Sequence, residues 1–377
     1  MKAHLNDNHS LISSILLSID IFHNSEIIQS FFSIRKGSFI NKQTNKQTMK
    51  NKIIATLVAF GLVGSASAIE INDNLSINGF IDASYQKTDN SGAGVNDNEN
   101  LGLDEVEINF LLNVGSVSGQ VSVDTDGASN DSNNDTSSDE LFNIEQAHFT
   151  YSLDNGVSFT LGRYGRALGL EREDPAGLYT YSRAYGSNDN GDSYNYGNID
   201  AGSGSVEGLT VSYSAEDFTV AVSFEEAAGA DLVANDLNTQ ISVSYTGVEN
   251  VVIGAGYFSD NAATAAAERN VFGVNATYTA GKALIGAEYI SADDGDTTTG
   301  EDAFLVLVDY DVSDKLGVAV RYSEWEVSNT LEYSKITIAP NYALTESLGA
   351  ILEYSDLDTG SANLDADQIA LELTYTF

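Results

Sequence analysis

The chain has 377 residues, 33 glycines, two prolines, no cysteine and a formal charge of −38. Without cysteine there are no disulfides, zinc–thiolate centres or thiol nucleophiles, and so acidic a chain lacks the basic surface that binding nucleic acid requires. A hydrophobic content of 42% with 10% aromatics excludes a disordered acidic tail.

In chain order, Met49-Lys50-Asn51-Lys52 precedes an apolar run from Ile53 to Val63 and then Ala66-Ser67-Ala68. A basic start, a short apolar core and an A-x-A site describe a secretory signal peptide. The apolar run is too short for a spanning helix. We therefore read 1–48 as a non-native or unstructured extension, with an extended leader as the rival reading. Residues 49–68 are the signal peptide, cleaved after Ala68, and 69–377 form one mature domain. That domain holds ten Lys and Arg against 52 Asp and Glu, a balance that draws cations to its surface.

Past Ala68 the pattern has period two. Ile77, Ile81 and Tyr85 alternate with Asn78, Asp82 and Gln86, and Val106, Ile108, Phe110 and Leu112 alternate with Glu105, Glu107, Asn109 and Asn113. This is the signal of half-buried strands. Sixteen strands are predicted, near 75–87, 101–114, 116–124, 141–153, 157–164, 205–214, 217–226 and 237–246, then 250–259, 270–279, 282–291, 303–311, 315–327, 332–342, 346–356 and 366–377. Every second connection is tight, such as Asp154-Asn155-Gly156 and Ala280-Gly281, and the others are long and polar.

An even strand count with short turns on one side and long loops on the other predicts an all-β, antiparallel transmembrane barrel. The alternative is a soluble β-sandwich or solenoid. The last strand, from Ile369 to Phe377, decides between them. Ile369, Leu371, Leu373, Tyr375 and Phe377 share one face, which would aggregate as a soluble edge and suits lipid in a closed barrel. Sixteen strands leave a wet lumen, and the predicted inward faces carry Ser, Thr, Asn, Gln, Asp and Glu. Residues 303–308 are apolar on both faces, which predicts cover from a subunit or from a loop packed in the lumen.

One connection, about 165–204, is too long for a hairpin, and long loops in compact proteins are usually functional. Arg163, Arg166, Arg172 and Arg183 fall in its neighbourhood, interleaved with Glu171, Glu173 and Asp174. Just before it stands Phe159-Thr160-Leu161-Gly162-Arg163-Tyr164-Gly165. This run is similar to the aromatic-x-x-Gly-Arg-x-Tyr-Gly pattern of the general diffusion porins of Gram-negative outer membranes, shortened by one residue. The resemblance spans the mature chain in signal peptide, strand count, loop asymmetry and terminal Phe377.

The resemblance implies a homotrimer in outer-membrane lipid whose third loop folds inward and narrows the pore. It also implies that the closing strand, with Tyr375 and Phe377, is read by the barrel-assembly machinery. Arg163 would be a wall arginine, with Arg166, Arg172 and Arg183 at the constriction and Glu171, Glu173 and Asp174 as loop carboxylates. Two departures stand out. The family's Pro-Glu-Phe-Gly-Gly run is replaced by Asp174-Pro175-Ala176-Gly177. The lumen arginine usual on the second strand is replaced by Glu105 and Glu107, with Arg321 and Lys335 as the other inward charges.

Nothing in the sequence specifies catalysis, a cofactor or a metal. His148, the one mature histidine, makes neither a triad nor a metal site. Asp124-Thr125-Asp126-Gly127 lacks the closing glutamate of a calcium loop. The expected function is passive diffusion of ions and small hydrophilic solutes with mild cation preference. The alternatives are a sugar- or peptide-specific channel, with a slide formed by Tyr179, Tyr181, Tyr185, Tyr194 and Tyr196, and a non-conducting structural or adhesive barrel.

Overall fold

The computed structural model describes residues 68–91, 97–126, 143–171, 175–185, 205–226, 237–260, 269–294, 300–328, 331–360 and 365–377. Every described residue belongs to one unit, Ile53–Phe377.

Among the described residues there are seventeen strands. They are β1 (Ile69–Asn72), β2 (Leu75–Asn90), β3 (Asn98–Val114), β4 (Val117–Asp126), β5 (Asn143–Ser152) and β6 (Val157–Gly165). Next come β7 (Ser205–Ser214), β8 (Phe218–Glu225), β9 (Asn238–Tyr245), β10 (Val251–Asp260), β11 (Arg269–Ala280) and β12 (Ala283–Asp294). The last five are β13 (Gly300–Asp311), β14 (Leu316–Ser328), β15 (Leu331–Ala343), β16 (Leu348–Asp358) and β17 (Ala366–Thr376).

From β2 to β17 each strand pairs antiparallel with the next, and β17 pairs with β2, from Ala366↔Asn90 to Thr376↔Phe80. The sheet is therefore a closed barrel of sixteen strands, matching the sixteen expected. The element not foreseen is β1. It adds to β2 at Ile69↔Ile77, next to the point where Phe377 exchanges backbone hydrogen bonds with Gly79 at 3.0 and 3.1 Å. The end of β17 and the start of β1 thus lie in line along β2.

Turn chemistry sets the registers. Gly115, Gly156, Gly281 and Asn250 take positive φ in the tight connections, where a side chain usually costs energy and Gly or Asn costs least. On β3 one residue is extra, with Ala83 pairing Leu103 and Asp82 pairing Glu105. This bulge lets Leu103 face outward and Glu105 inward although both have odd numbers.

The outer surface is apolar along the strands. Ile369, Leu371, Leu373 and Tyr375 are 51%, 42%, 41% and 45% exposed, and Phe149, Leu161, Ile241, Val306, Ile336 and Leu352 are exposed on other strands. Tyr151, Tyr213, Tyr245, Tyr278, Tyr310, Tyr342 and Tyr375 stand at the tight-turn ends, while Tyr85, Tyr257, Tyr289, Tyr322 and Tyr354 stand nearer the loop ends. An apolar band between two tyrosine girdles is what lipid requires, and it removes the soluble-sandwich alternative. Replacing Leu371 by arginine is expected to cost about 2–4 kcal/mol, the penalty for a charge near the bilayer midplane. Urea unfolding in lipid vesicles would read this loss; an unchanged midpoint would mean that this face does not meet lipid.

The inner surface has two sectors. Over β17, β2, β3 and β4 it is polar and cross-bonded: Gln368 donates to Gln86 at 3.0 Å and Gln120 to Asn109 at 3.2 Å. Over β10–β13 it is mainly apolar, with Phe258, Val271, Ile290, Ala303, Leu305 and Leu307 buried, and over β14–β16 Trp325 and Ala339 stand among buried Arg321, Lys335 and Glu353. Ala184, Tyr185, Leu168 and Leu170 from the 165–204 connection pack on this sector. That is the loop cover expected for 303–308.

Candidate functional site: the loop between β6 and β7 and its wall

β6 ends with the glycine of the Phe159–Gly165 run under constraint. Gly162 has φ 130°, and a Cβ there would lie 2.2 Å from the Ala147 carbonyl oxygen and 2.8 Å from His148 Cα on β5. Only glycine allows the two strands to approach so closely. Beyond Gly165 the chain turns into the barrel and follows its wall, with a 3-10 turn at Pro175–Gly177.

Two kinds of contact dock the loop. The first is apolar. Leu168 sits against Gly256, where a Cβ would come within 2.0 Å of Leu168 Cδ2, and Leu170 sits against Gly286 at 3.1 Å. Inward-facing glycines on β10 and β12 thereby serve as sockets for two leucines. The second kind is ionic. Arg166 Nε donates to Glu225 Oε2 on β8 at 2.8 Å, and its guanidinium lies 4.5 Å from the centre of the Phe258 ring.

Arg321 on β14 is the hub. It is fully buried. Its Nη1 lies 2.7 and 2.9 Å from the two Glu171 carboxylate oxygens, and 2.7 Å from both Thr180 Oγ1 and the Ser182 carbonyl. Its Nη2 reaches Ser182 Oγ at 3.1 Å, the Arg183 carbonyl at 3.0 Å and Thr337 Oγ1 at 3.2 Å. Glu171 Oε2 also accepts from the Ala184 amide at 2.6 Å, and Arg183 Nη1 donates to the Glu171 carbonyl at 2.6 Å. Three wall contacts continue the seam. The Ser182 amide donates to Glu353 at 3.1 Å, Ser323 Oγ to the Ala184 carbonyl at 2.5 Å, and Tyr185 OH to Glu288 at 3.3 Å. Tyr181 OH lies 3.2 Å from Ser84 Oγ and donates to Gln86 at 3.3 Å. Burial pushes the Tyr181 phenol above its usual range, so it stays a neutral donor.

These positions sort the residues singled out from the sequence. Arg166, Glu171 and Arg183 lie in the docked loop, and their charged groups meet wall or loop partners at contact distance. Arg172, Glu173 and Asp174 lie outside the described residues. Arg321 and Lys335 are buried on the inner face, with Lys335 Nζ 5.9 Å from the Trp325 ring centre. Glu105 and Glu107 also face inward on β3, opposite Asp82 and Phe80.

Arg163 corrects the reading taken from the family pattern. It is exposed on the face of Phe159 and Leu161, opposite Glu207 on β7. Strand alternation puts it outside the barrel, so the arginine that meets the loop is Arg321. Tyr375 and Phe377 also lie where alternation puts them, with ring centres 6.0 Å apart beside the closing seam.

The sequence reading missed Glu225, Glu353, Thr180 and Ser182. Alternation with Phe224 shows that Glu225 faces inward, but no local signal pairs it with Arg166, 59 residues away.

A family model described as Gram-negative porin matches residues 55–362. The chain matches no curated protein. Among solved structures it is similar to the anion-selective porin from Comamonas acidovorans, at 12% identity and TM-score 0.58, over 80% of this chain and 99% of that one. It is similar to Salmonella typhi OmpF in complex with daunomycin at 15% identity and TM-score 0.57, over 82% and 100% of the two chains. OmpT of Vibrio cholerae, folded in vitro, gives 16% identity and TM-score 0.56, over 83% and 100%. At these identities the likeness is one of fold. With the family model matched along most of its length, the chain belongs to the Gram-negative porin family.

Proposed function

We propose that the mature chain is a water-filled outer-membrane channel for passive diffusion of ions and small hydrophilic solutes, with a preference for cations. The observation that carries the preference is the imbalance of charge on the inner face. The bases Arg166 and Arg321 are tied to Glu225 and Glu171 at the loop–wall seam, and β3 and β4 add Glu105, Glu107 and Asp124 to the inner face, where neither strand carries a base. Fixed acid along a wet lumen raises local cation concentration and sets ion preference. No enzymatic role is proposed.

Export by cleavage after Ala68 belongs to the same reading, and β1 begins at Ile69, the next residue. So does a homotrimer, in keeping with the trimer form named for OmpT of Vibrio cholerae. Capture of the closing strand by the barrel-assembly machinery completes it. A sugar-specific slide is less well supported, because Tyr181 and Tyr185 are buried with their hydroxyls committed to Ser84, Gln86 and Glu288.

Reconstitution of the mature chain in a planar bilayer under a potassium chloride gradient tests the reading. Ohmic steps with a cation-selective reversal potential are expected. Absence of steps would leave the non-conducting barrel, and an anion-selective reversal would overturn the charge argument.

A further inference from the structure

One tyrosine of the long loop does not join the buried seam. Tyr179 is 38% exposed, and its hydroxyl takes no hydrogen-bond partner among the described residues. Its place is nonetheless fixed. The next residue, Thr180, is buried and held by Arg321 Nη1 at 2.7 Å. Asp309 and Asp311, at the tight-turn end of β13, lie within electrostatic reach of the Tyr179 phenol. The ring therefore stands over the wall on the tight-turn side of the loop, where a solute crossing the lumen would meet it.

The wall beneath it carries a small polar group on an apolar floor. Asp309 alternates with the inward-facing Leu305 and Leu307 and stands opposite Leu284 on β12. Asn341 faces inward on β15, opposite Gly317 on one side and Ile351 on the other. Its amide lies across Gly317, where a Cβ would come within 2.5 Å of Asn341 Oδ1. From there Asn341 Nδ2 donates to Asp309 at 3.3 Å, spanning β14. Glycine at 317 is what gives the amide room to make this bridge. Leu284 and Ile351, both half-buried, flank the pair.

This combination fits one class of solute. A carboxylate only accepts, and an amide NH2 has two protons, of which the bond to Asp309 uses one. An acceptor and a donor held side by side match adjacent hydroxyls of a sugar ring, one donating while the other accepts. The electron-rich face of a tyrosine suits the C–H face of the same ring. Ligand sites are commonly built in this way, apolar and aromatic with a few placed polar groups. We propose that Tyr179, Asp309 and Asn341 form a subsite for a neutral saccharide on the tight-turn side of the loop, an inference that rests on the channel reading. One ring over one polar pair makes a single subsite rather than a slide along the loop, for which Tyr181 and Tyr185 are too deeply buried.

The test uses the full mature chain in planar bilayers, with raffinose, a neutral trisaccharide, added to both sides. Polyethylene glycol of matching hydrodynamic size is the control, because it is neutral but has neither a sugar-ring face nor adjacent hydroxyls. Raffinose is expected to interrupt the current saturably and at lower concentration than the polymer. Tyr179→Ala should weaken raffinose block about tenfold, whereas Tyr179→Phe keeps the ring and should stay near wild type. Gly317→Ala removes no binding group, but its methyl would push the Asn341 amide off Asp309. Raffinose block should then weaken while block by the polymer is unchanged. Open-channel steps in each variant report that the barrel has folded, and calorimetric titration of the refolded protein with raffinose reads binding without current.

Raffinose acting no more strongly than the polymer would overturn the subsite, as would equal raffinose block of wild type and Tyr179→Ala. Saturable binding by a barrel without conductance would keep the subsite and overturn the channel reading. Conductance without saturable binding would do the reverse.

Discussion

Replacing Arg321 by alanine is expected to free the loop from the barrel wall while leaving the barrel closed. The guanidinium is the shared donor for Glu171, Thr180, Ser182 and Arg183. Its loss leaves a buried carboxylate without its guanidinium partner, with the Ala184 amide still donating to it. Removing one partner of a buried ion pair typically costs about 3–5 kcal/mol, because the remaining charge stays desolvated. The strand ladder does not depend on this contact: β6 and β7 remain paired from Val157↔Tyr213 to Gly165↔Ser205. The penalty therefore falls on the docked loop.

In single-channel records the variant should show a larger open conductance and more current noise than wild type. Leu168 and Leu170 remain in their glycine sockets, so release should begin near Glu171 rather than at Gly165. The double replacement Arg321→Met with Glu171→Gln should lie nearer wild type, since it removes both charges. Unchanged conductance and noise in Arg321→Ala would show that other contacts hold the loop.

Gly162→Ala should impair folding itself. The methyl group would meet backbone atoms of β5, the Ala147 carbonyl oxygen at 2.2 Å and His148 Cα at 2.8 Å. Backbone in a ladder cannot yield as a side-chain tip can, so the β5–β6 register at His148↔Gly162 would have to open. The positive φ adds strain of about 1–3 kcal/mol for a non-glycine residue. The measurement is the fraction of refolded, heat-modifiable protein on cold electrophoresis, with Gly165→Ala as control. A Cβ at Gly165 would meet nothing within 4 Å, so the control should fold as wild type does. Equal yields from the two variants would mean that β5 and β6 can separate at little cost.

Arg163 and the loop charges mark the limit of what was legible. Alternation of Phe159, Leu161 and Arg163 already placed this arginine on the outer face, and where the family pattern pointed inward, the strand period prevails. Glu171 was legible as a loop acid but its partner was not, because Arg321 lies 150 residues away. The glycines at 256 and 286 read as ordinary strand positions until Leu168 and Leu170 occupied them. The inward acids of β3 were legible, yet their neighbours Asp82 and Asp124 became an arc only when the registers were known.

By itself the sequence determined the strands, their lipid and lumen faces, the tight turns and the closing seam. Each of these rests on short-range physics: a two-residue period, glycine at positive φ, and an apolar stripe that must meet lipid. Only the tertiary structure decided which charges neutralise one another and where the long loop docks. That depends on closing the ring and on the path of one long loop, which bring together residues from opposite ends of the chain whose spacing carries no periodic signal.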